Sequence, residues 1–348
     1  MYCHVLRILA DGQKHTTNQL IKQLAISSMD LERAINLLSA YGIRFQVTAN
    51  GTYQLIEPLE LLDYSRILTA LPLETQQRLA NLEILDIIDS TNRYLLAMPQ
   101  QTTPLACLAE YQTAGRGQHG RQWVSPYASG LCLSIKQDYS VFKQPLTGLN
   151  IALAVSVMQV LGNLGITEVG IKWPNDICWR GRKLAGLLLE TRQNKSYEIV
   201  VGIGINVKIP FLNLGGITQP WVDLATVLGH SISRNVLAAM LIGQFCKTLL
   251  LYPSQGLSQF LPLWQHFDLS YGQKVILKIP SNRLLDRGII AKPNLENIPK
   301  DPPKANSILE KGDFITGTAW GIDEQGALLL QVGNHIQRYL CGEVSLYL

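Results

Sequence analysis

Hydrophobic positions in the first 56 residues recur at helical spacing and then switch to alternation. Leu31, Ala34, Ile35 and Leu38 fall at i, i+3, i+4 and i+7, which predicts a helix with one apolar face. Ser27 and Ser28 are its candidate N-caps and Gly42 its terminator. Two further helical stretches precede it. Arg44 to Val47 and Thr52 to Ile56 alternate around Ala49-Asn50-Gly51, whose Asn-Gly dipeptide predicts a hairpin. Three helices and a hairpin form the pattern of a winged helix-turn-helix. Residues 57–81, with Pro58 and Pro72, read as a short helical linker. Strand-like and helix-like runs then alternate to about position 270, predicting a mixed α/β domain. From Phe314, short apolar runs broken by Asp323-Glu-Gln-Gly326 and Gly333-Asn334 predict a small closing β domain. The expected division is therefore 1–62, 63–272 and 273–348. The last part carries an insertion, Pro280 to Asp313, with five prolines, mixed charge and no sustained period, which reads as a mobile loop.

Composition narrows the function classes. With 348 residues and 47% hydrophobic content, the chain can bury a large core. A net charge of +4 gives no global basic field for nucleic acid or an anionic membrane, so any polyanion site must be local. The six cysteines, at 3, 107, 132, 178, 246 and 341, form no CxxC pair and are too few for a disulfide scaffold, which fits a reducing cytoplasm. The N-terminal apolar run is cut short by Asp11, unlike a signal peptide. The uncharged stretch Gln144 to Thr167 is broken by Asn150, Gln159 and Asn163 and lacks flanking basic clusters, so it reads as a buried helix and not a membrane span.

Four segments carry candidate chemistry. In Glu110-Tyr-Gln-Thr-Ala-Gly-Arg-Gly-Gln-His-Gly-Arg-Gln-Trp123, Gly115, Gly117 and Gly120 spell GxGxxG, the dinucleotide fingerprint. That fingerprint needs a helix to open at the glycines, whereas Pro126 and a strand-like Leu131 to Ile135 follow here. What remains is a glycine-rich loop whose amides and arginines, Arg116 and Arg121, can approach phosphate or carboxylate oxygens; an ordinary surface turn is the bland alternative. Trp123 either covers a base or fills a core. The second segment is Lys172-Trp-Pro-Asn-Asp176 followed by Gly181-Arg-Lys-Leu-Ala-Gly186. Lys172 and Lys183 adjoin apolar strand-like runs, where an ammonium needs an anionic partner, although turn chemistry alone accounts for Pro174 and Asn175. Asp89-Ser-Thr-Asn92 and Val201-Gly-Ile-Gly-Ile-Asn-Val207 complete the set; alone, they read as a helix N-cap at Ser90 or Thr91 and a closely packed strand.

In this order, between a helix-turn-helix pattern and a small β domain, the four segments resemble the biotin protein ligase family in its bifunctional ligase and biotin-operon repressor form, from near the N-terminus to Leu346. The resemblance implies a catalytic domain related to class II aminoacyl-tRNA synthetases and lipoate ligases, a mixed sheet with helices, and an SH3-like C-terminal barrel. It implies that Ser90, Thr91 and Gln112, beside Asn92, hold the ureido ring of biotin. Gly115, Arg116, Gly117 and Gln118 would form the loop that closes over the acyl group, with Gly186 and Leu188 lining the pocket. Arg121, Trp123, Lys172, Asn175, Asp176 and Asn206 would lie at ATP or the adenylate. Lys183 is the expected key catalytic residue, with Arg116, because a fixed ammonium can bridge the carboxylate and α-phosphate that must join. Mg2+ would screen the leaving pyrophosphate. The resemblance also implies biotin carboxyl carrier protein as acceptor and a homodimer. One departure stands out: Gln118 replaces the arginine most of the family carries there.

Two other functions suit the same scaffold. A lipoate or octanoate ligase on the same scaffold would need a pocket for an aliphatic tail, against which Ser90, Thr91 and Gln112 argue. A non-catalytic regulator sensing an adenylate would not need Lys183 or the Arg116 loop. For operator DNA the expected contacts are Thr17, Ser27, Ser28 and Arg33. They are weakened by the charge balance of residues 1–60: Arg7, Lys14, Lys22, Arg33 and Arg44 against Asp11, Asp30, Glu32, Glu57 and Glu60.

Overall fold

The computed structural model describes residues 2–139, 146–193, 197–210, 219–278, 314–340 and 345–347. Helices α1 (Tyr2–Leu9), α2 (Thr17–Leu24) and α3 (Ser28–Ala40) precede the hairpin β2 (Phe45–Val47) and β3 (Thr52–Leu55), with Gly51 supplying positive φ at the turn. The predicted face of α3 is buried, Ser27 caps it, and Gly42 follows its end with positive φ. A two-residue strand, β1 (His15–Thr16), adds to β3 to give the order β1-β3-β2; the sequence pattern had not marked it. Thr16 then opens α2 with a reciprocal capping box to Gln19.

The linker forms α4 (Tyr64–Ala70) and α5 (Leu73–Arg78). It is pinned by a buried ion pair: Arg234 Nη2 lies 2.8 Å from Glu110 Oε2, while Glu110 also accepts from the Leu62 amide and Arg234 donates to the Glu60 carbonyl. The N-terminal core, built on Val5, Leu6, Leu9, Leu20, Leu31 and Leu38, extends onto Tyr127 and Ala128. Tyr41, Tyr111 and Tyr127 cluster there with ring centroids 5.0–6.4 Å apart.

The central sheet holds β4 (Asn81–Ile88), β5 (Leu105–Gln112), β6 (Gly130–Tyr139), β7 (Val169–Lys172), β8 (Asp176–Trp179), β9 (Arg182–Gln193) and β10 (Tyr197–Asn206). Their order is β4-β5-β6-β10-β9-β8-β7, with β4 and β5 parallel and every other pair antiparallel. Alternation assigns the two faces. Leu131, Leu133, Ile135, Ile199, Val201, Ile203 and Ile205 join the main core with α7 (Leu149–Asn163) and α9 (Arg234–Gln255). The other face carries α6 (Thr91–Ala97) against Cys107 and Val200, and the candidate site. The uncharged stretch around Asn150 and Gln159 forms α7, buried from Leu149 through Met158. Helix α9 is long and apolar enough by composition to cross a membrane, but it packs against α7, α4 and β6 in the core.

Strands β11 (Lys274–Lys278), β12 (Phe314–Ile322), β13 (Leu328–Val332), β14 (His335–Tyr339) and β15 (Ser345–Tyr347) make an antiparallel sheet of order β14-β13-β12-β11-β15. Its apolar side, including Val275, Leu277, Leu328 and Leu330, is continuous with the main core, and Trp173 Nε1 donates to the Gly326 carbonyl. The proline-rich insertion lies outside the described residues, but Lys278 and Phe314 on either side of it are register partners. Deleting Asn294 to Lys304 is therefore expected to leave the melting temperature almost unchanged. Shortening a closed segment by about a third alters its closure entropy by only about 0.3 kcal/mol, and thermal melts of the deletion check this. A drop of several degrees would mean that the removed residues pack.

Candidate active site

At the end of β4 the chain turns through Asp89 and Ser90 into α6, burying Ser90, Thr91 and Asn92. Ser90 occupies the N-cap position, but its side chain makes no capping bond, which corrects the simple capping reading and leaves the hydroxyl for another use. Gln112, at the end of β5, accepts from the Thr91 amide at 2.8 Å and the Thr91 hydroxyl at 3.1 Å. Ser134 Oγ, on β6, lies 2.7 Å from Thr91 Oγ1 and 2.6 Å from Asn92 Oδ1. Room for the Asn92 carboxamide comes from Gly202 on β10, where a Cβ would meet Asn92 Oδ1 at 2.2 Å.

The glycine-rich loop leaves β5 and returns on itself. Gly117 N–H donates to the Arg121 carbonyl and Trp123 N–H to the Gly115 carbonyl, around a 3₁₀ turn over Gln118–Gly120 in which His119 and Gly120 take positive φ. No dinucleotide-type helix opens here, as the following proline and strand-like run predict. Gly115 has no substitute, since a Cβ there would sit 2.4 Å from the Trp123 carbonyl oxygen. Arg116 reaches back to Glu190 on β9, Nη2 to Oε1 at 2.9 Å. Burial, and then the charge of Arg121, pull the His119 imidazole below its ordinary value.

The second cluster lies along the same face. Lys183 Nζ is 2.8 Å from Asp176 Oδ1, which supplies the anionic partner that a lysine in apolar surroundings requires. Its backbone is clamped, with the Lys183 amide donating to Pro220 O and the Val222 amide to Lys183 O. A register shift between β8 and β9 at Ile177 and Cys178 falls beside it, a common device for re-aiming a side chain near a site. Lys183 Nζ stands 5.7 Å from the centroid of Trp123. That indole lies across Gly204, where a Cβ would come within 2.3 Å of the ring. Gly186 likewise leaves space for the Lys183 side chain.

Ser90, Thr91, Asn92, Gln112, Gly115 and Arg116 thus gather at one end, with Leu188 on β9 beside Gly202, and Trp123, Asp176, Lys183 and Gly186 at the other. Asn175 and Asn206 are buried, but their amide groups are taken up by backbone carbonyls, Asn175 with Leu187 and Asn206 with Val222 and Lys183. They brace the strands around the site. Lys172 is the register partner of Asp176. Gln118 and Arg121 stay on the loop tip, where Arg121 Nε donates to the Gln118 carbonyl. Sequence reasoning passed over Ser134 and Glu190; period two on β9 from Gly186 and Leu188 is the signal that finds Glu190. Thr17, Ser27, Ser28 and Arg33 lie in the N-terminal unit, apart from this site. Among the described residues no group of three His, Cys, Asp or Glu could hold a metal.

Residues 84–206 match the biotin/lipoate A/B protein ligase family, and residues 307–347 the biotin protein ligase C terminal domain. The chain is 33% identical to the bifunctional ligase/repressor BirA of Salmonella typhimurium, over 98% of this chain and 96% of that protein. It is 32% identical to the Escherichia coli protein of the same name, with the same coverage. Among solved structures, biotin protein ligase from Aquifex aeolicus in complex with biotin and ATP superposes with a TM-score of 0.60 at 25% identity, covering 77% of this chain and 99% of that one.

Proposed function

Because this chain belongs to the biotin protein ligase family in its bifunctional ligase/repressor form, we propose that it is the ATP-dependent ligase that makes biotinyl-5'-adenylate and transfers biotin to a lysine of biotin carboxyl carrier protein. One observation carries the reading: a single sheet face holds a cluster of buried hydroxyl and amide groups at one end and a clamped ammonium beside a tryptophan at the other. Ser90, Thr91 and Gln112 suit the donors and acceptor of a ureido ring, where a lipoyl tail would leave buried polar groups unpaired. Arg116 and the loop Gly115–Gln118 would close over the acyl group, and Gly186 and Leu188 would flank the bicyclic ring. Arg121, Trp123, Lys172 and Asp176 would line the nucleotide end, with Asn175 and Asn206 bracing its strands.

In the first step a biotin carboxylate oxygen attacks the α-phosphorus of ATP, forming a P–O bond as the bond to pyrophosphate breaks. Two anions must meet, and Lys183 Nζ supplies fixed positive charge where it accumulates. With no protein cluster fit to hold a resident metal among the described residues, Mg2+ would enter as the ATP complex, held chiefly by phosphate oxygens. In the second step the acceptor lysine attacks the acyl carbon and AMP leaves. With an ordinary pKa of about 10.4, on the order of one such amine in a thousand is neutral at pH 7.4, and the mixed anhydride is reactive enough for that fraction.

The N-terminal unit reads as a winged helix-turn-helix that places an operator-binding role beside the ligase, and the C-terminal sheet as an SH3-like barrel. The domains divide at 62/63 and 272/273, and the working form is a cytoplasmic homodimer. Biotin is expected to stimulate ATP–pyrophosphate exchange, and lipoate to leave it at background. Exchange driven by lipoate, or none with biotin, would overturn the ligase assignment.

A further inference from the structure

We propose that Glu190 is a positioning residue of the adenylation site, orienting Arg116 and linking it through Asn92 and Ser134 to the polar cluster of Thr91 and Gln112; the inference rests on the ligase reading above. Both terminal nitrogens of Arg116 meet the carboxylate, Nη2 at 2.9 Å from Oε1 and Nη1 at 3.3 Å from Oε2, the forked geometry that fixes a guanidinium in direction as well as place. Glu190 Oε2 also accepts from Asn92 Nδ2 at 2.9 Å. From Asn92 the chain of contacts runs to Ser134 Oγ, to Thr91 Oγ1 and to Gln112 Oε1, each step 2.6–3.1 Å. The network is continuous from one end of the site to the loop arginine.

A carboxylate standing alone beside a site that gathers anions would repel them. Paired as it is, Glu190 contributes no free negative charge and leaves the remaining N–H donors of Arg116 pointing in a set direction. The arrangement has a kinetic consequence. The Arg116 side chain is 46% exposed while that of Glu190 is 20% exposed on a strand, so the more buried carboxylate holds the more exposed guanidinium in place before a ligand arrives. Pre-ordering removes side-chain entropy from the binding step. It acts first on how long the adenylate is held, since the reacting anions meet at the Lys183 end of the site.

The test measures release of biotinyl-adenylate in a chase for Glu190→Gln in the Arg116 and Arg116→Ala backgrounds. Glutamine keeps the length and an acceptor for Asn92 but removes the charge. E190Q is expected to speed release on the order of tenfold, the scale of one lost charge-assisted hydrogen bond. It should add nothing when Arg116 is already alanine. Glu190→Asp, with its charge one methylene further away, is expected to fall between wild type and R116A, and it carries the same test should E190Q fail to fold. Unchanged release, or equal acceleration in both backgrounds, overturns the proposal. Wild type that forms no biotinyl-adenylate would instead overturn the ligase reading itself.

Discussion

Lys183→Ala is expected to reduce formation of biotinyl-adenylate by about a thousandfold or more while the protein stays folded. Removing one fixed charge-stabilising donor from a preorganised site commonly lowers the rate by about 10²–10³. Here the loss is larger, because the ammonium is what neutralises Asp176, 2.8 Å away. Without it, the nucleotide end would present a carboxylate to an incoming triphosphate. Lys183→Gln separates the two effects: a carboxamide can still donate to Asp176 but brings no charge to the reacting anions. Both variants should fail in biotin-dependent ATP–pyrophosphate exchange, with alanine the slower. Stability should fall more for alanine, which leaves Asp176 without its partner. The backbone clamp on Pro220 and Val222 does not involve the side chain and should hold in either. Adenylate formation near the wild-type rate in K183Q would remove Lys183 from the catalytic step.

The parts of this architecture legible in the sequence are those in which a local rule repeats over several residues. The α3 face is written four times at helical spacing, the hairpin carries Asn-Gly at its turn, and the uncharged α7 segment is apolar on all sides because it is buried on all sides. β1 escaped because two residues have no period; it exists only through its pairing with β3. Within the site, residues whose type is unusual for their setting were found. Lys183 beside an apolar strand predicted an anionic partner, and Asp176 supplies it. Residues whose type is ordinary, such as Ser90, Thr91 and Gln112, were legible only through the family resemblance, and Ser134 and Glu190 were passed over. A serine in a strand gives no local signal and Glu190 only the period of β9, yet both become links of the polar network once β6 and β9 lie on either side of β10. Register across three strands is a long-range property, and nothing local encodes it.

The N-terminal unit is expected to bind operator DNA only in the micromolar range at physiological salt, with a log-log salt slope shallower than about −5. A strong repressor shows a slope near −10, set by roughly 0.9 per phosphate neutralised. The cause lies at the start of α3, the end that in helix-turn-helix proteins faces base edges and phosphates. Ser27 Oγ donates to Asp30 Oδ2 at 2.7 Å and accepts from the Asp30 amide at 3.1 Å, so its hydroxyl is engaged in the cap. Arg33, the basic residue beside that end, lies 3.8 Å from the Asp30 carboxylate. The exposed pair adds little to stability, but it places a negative charge where a phosphate would approach. Thr17 donates to the Gly51 carbonyl and so braces the wing, and Arg44 faces Glu57. At the wing itself Thr48 accepts from the Thr52 amide, and no lysine stands at the tip. Asp30 suits the positive end of the helix dipole, so capping and phosphate repulsion follow from the same residue. Dimerisation on biotinyl-adenylate would place two such modules on a palindrome, doubling the contacts without changing their sign. Fluorescence anisotropy on DNA from the protein's own biotin-synthesis promoter, with biotin and ATP present across a salt series, measures both quantities. Asp30→Asn should keep the cap, since asparagine tolerates the helix start, while tightening binding and steepening the slope. Nanomolar affinity for the unmodified protein with a slope near −10 would instead show that phosphate contacts come from elsewhere on the module.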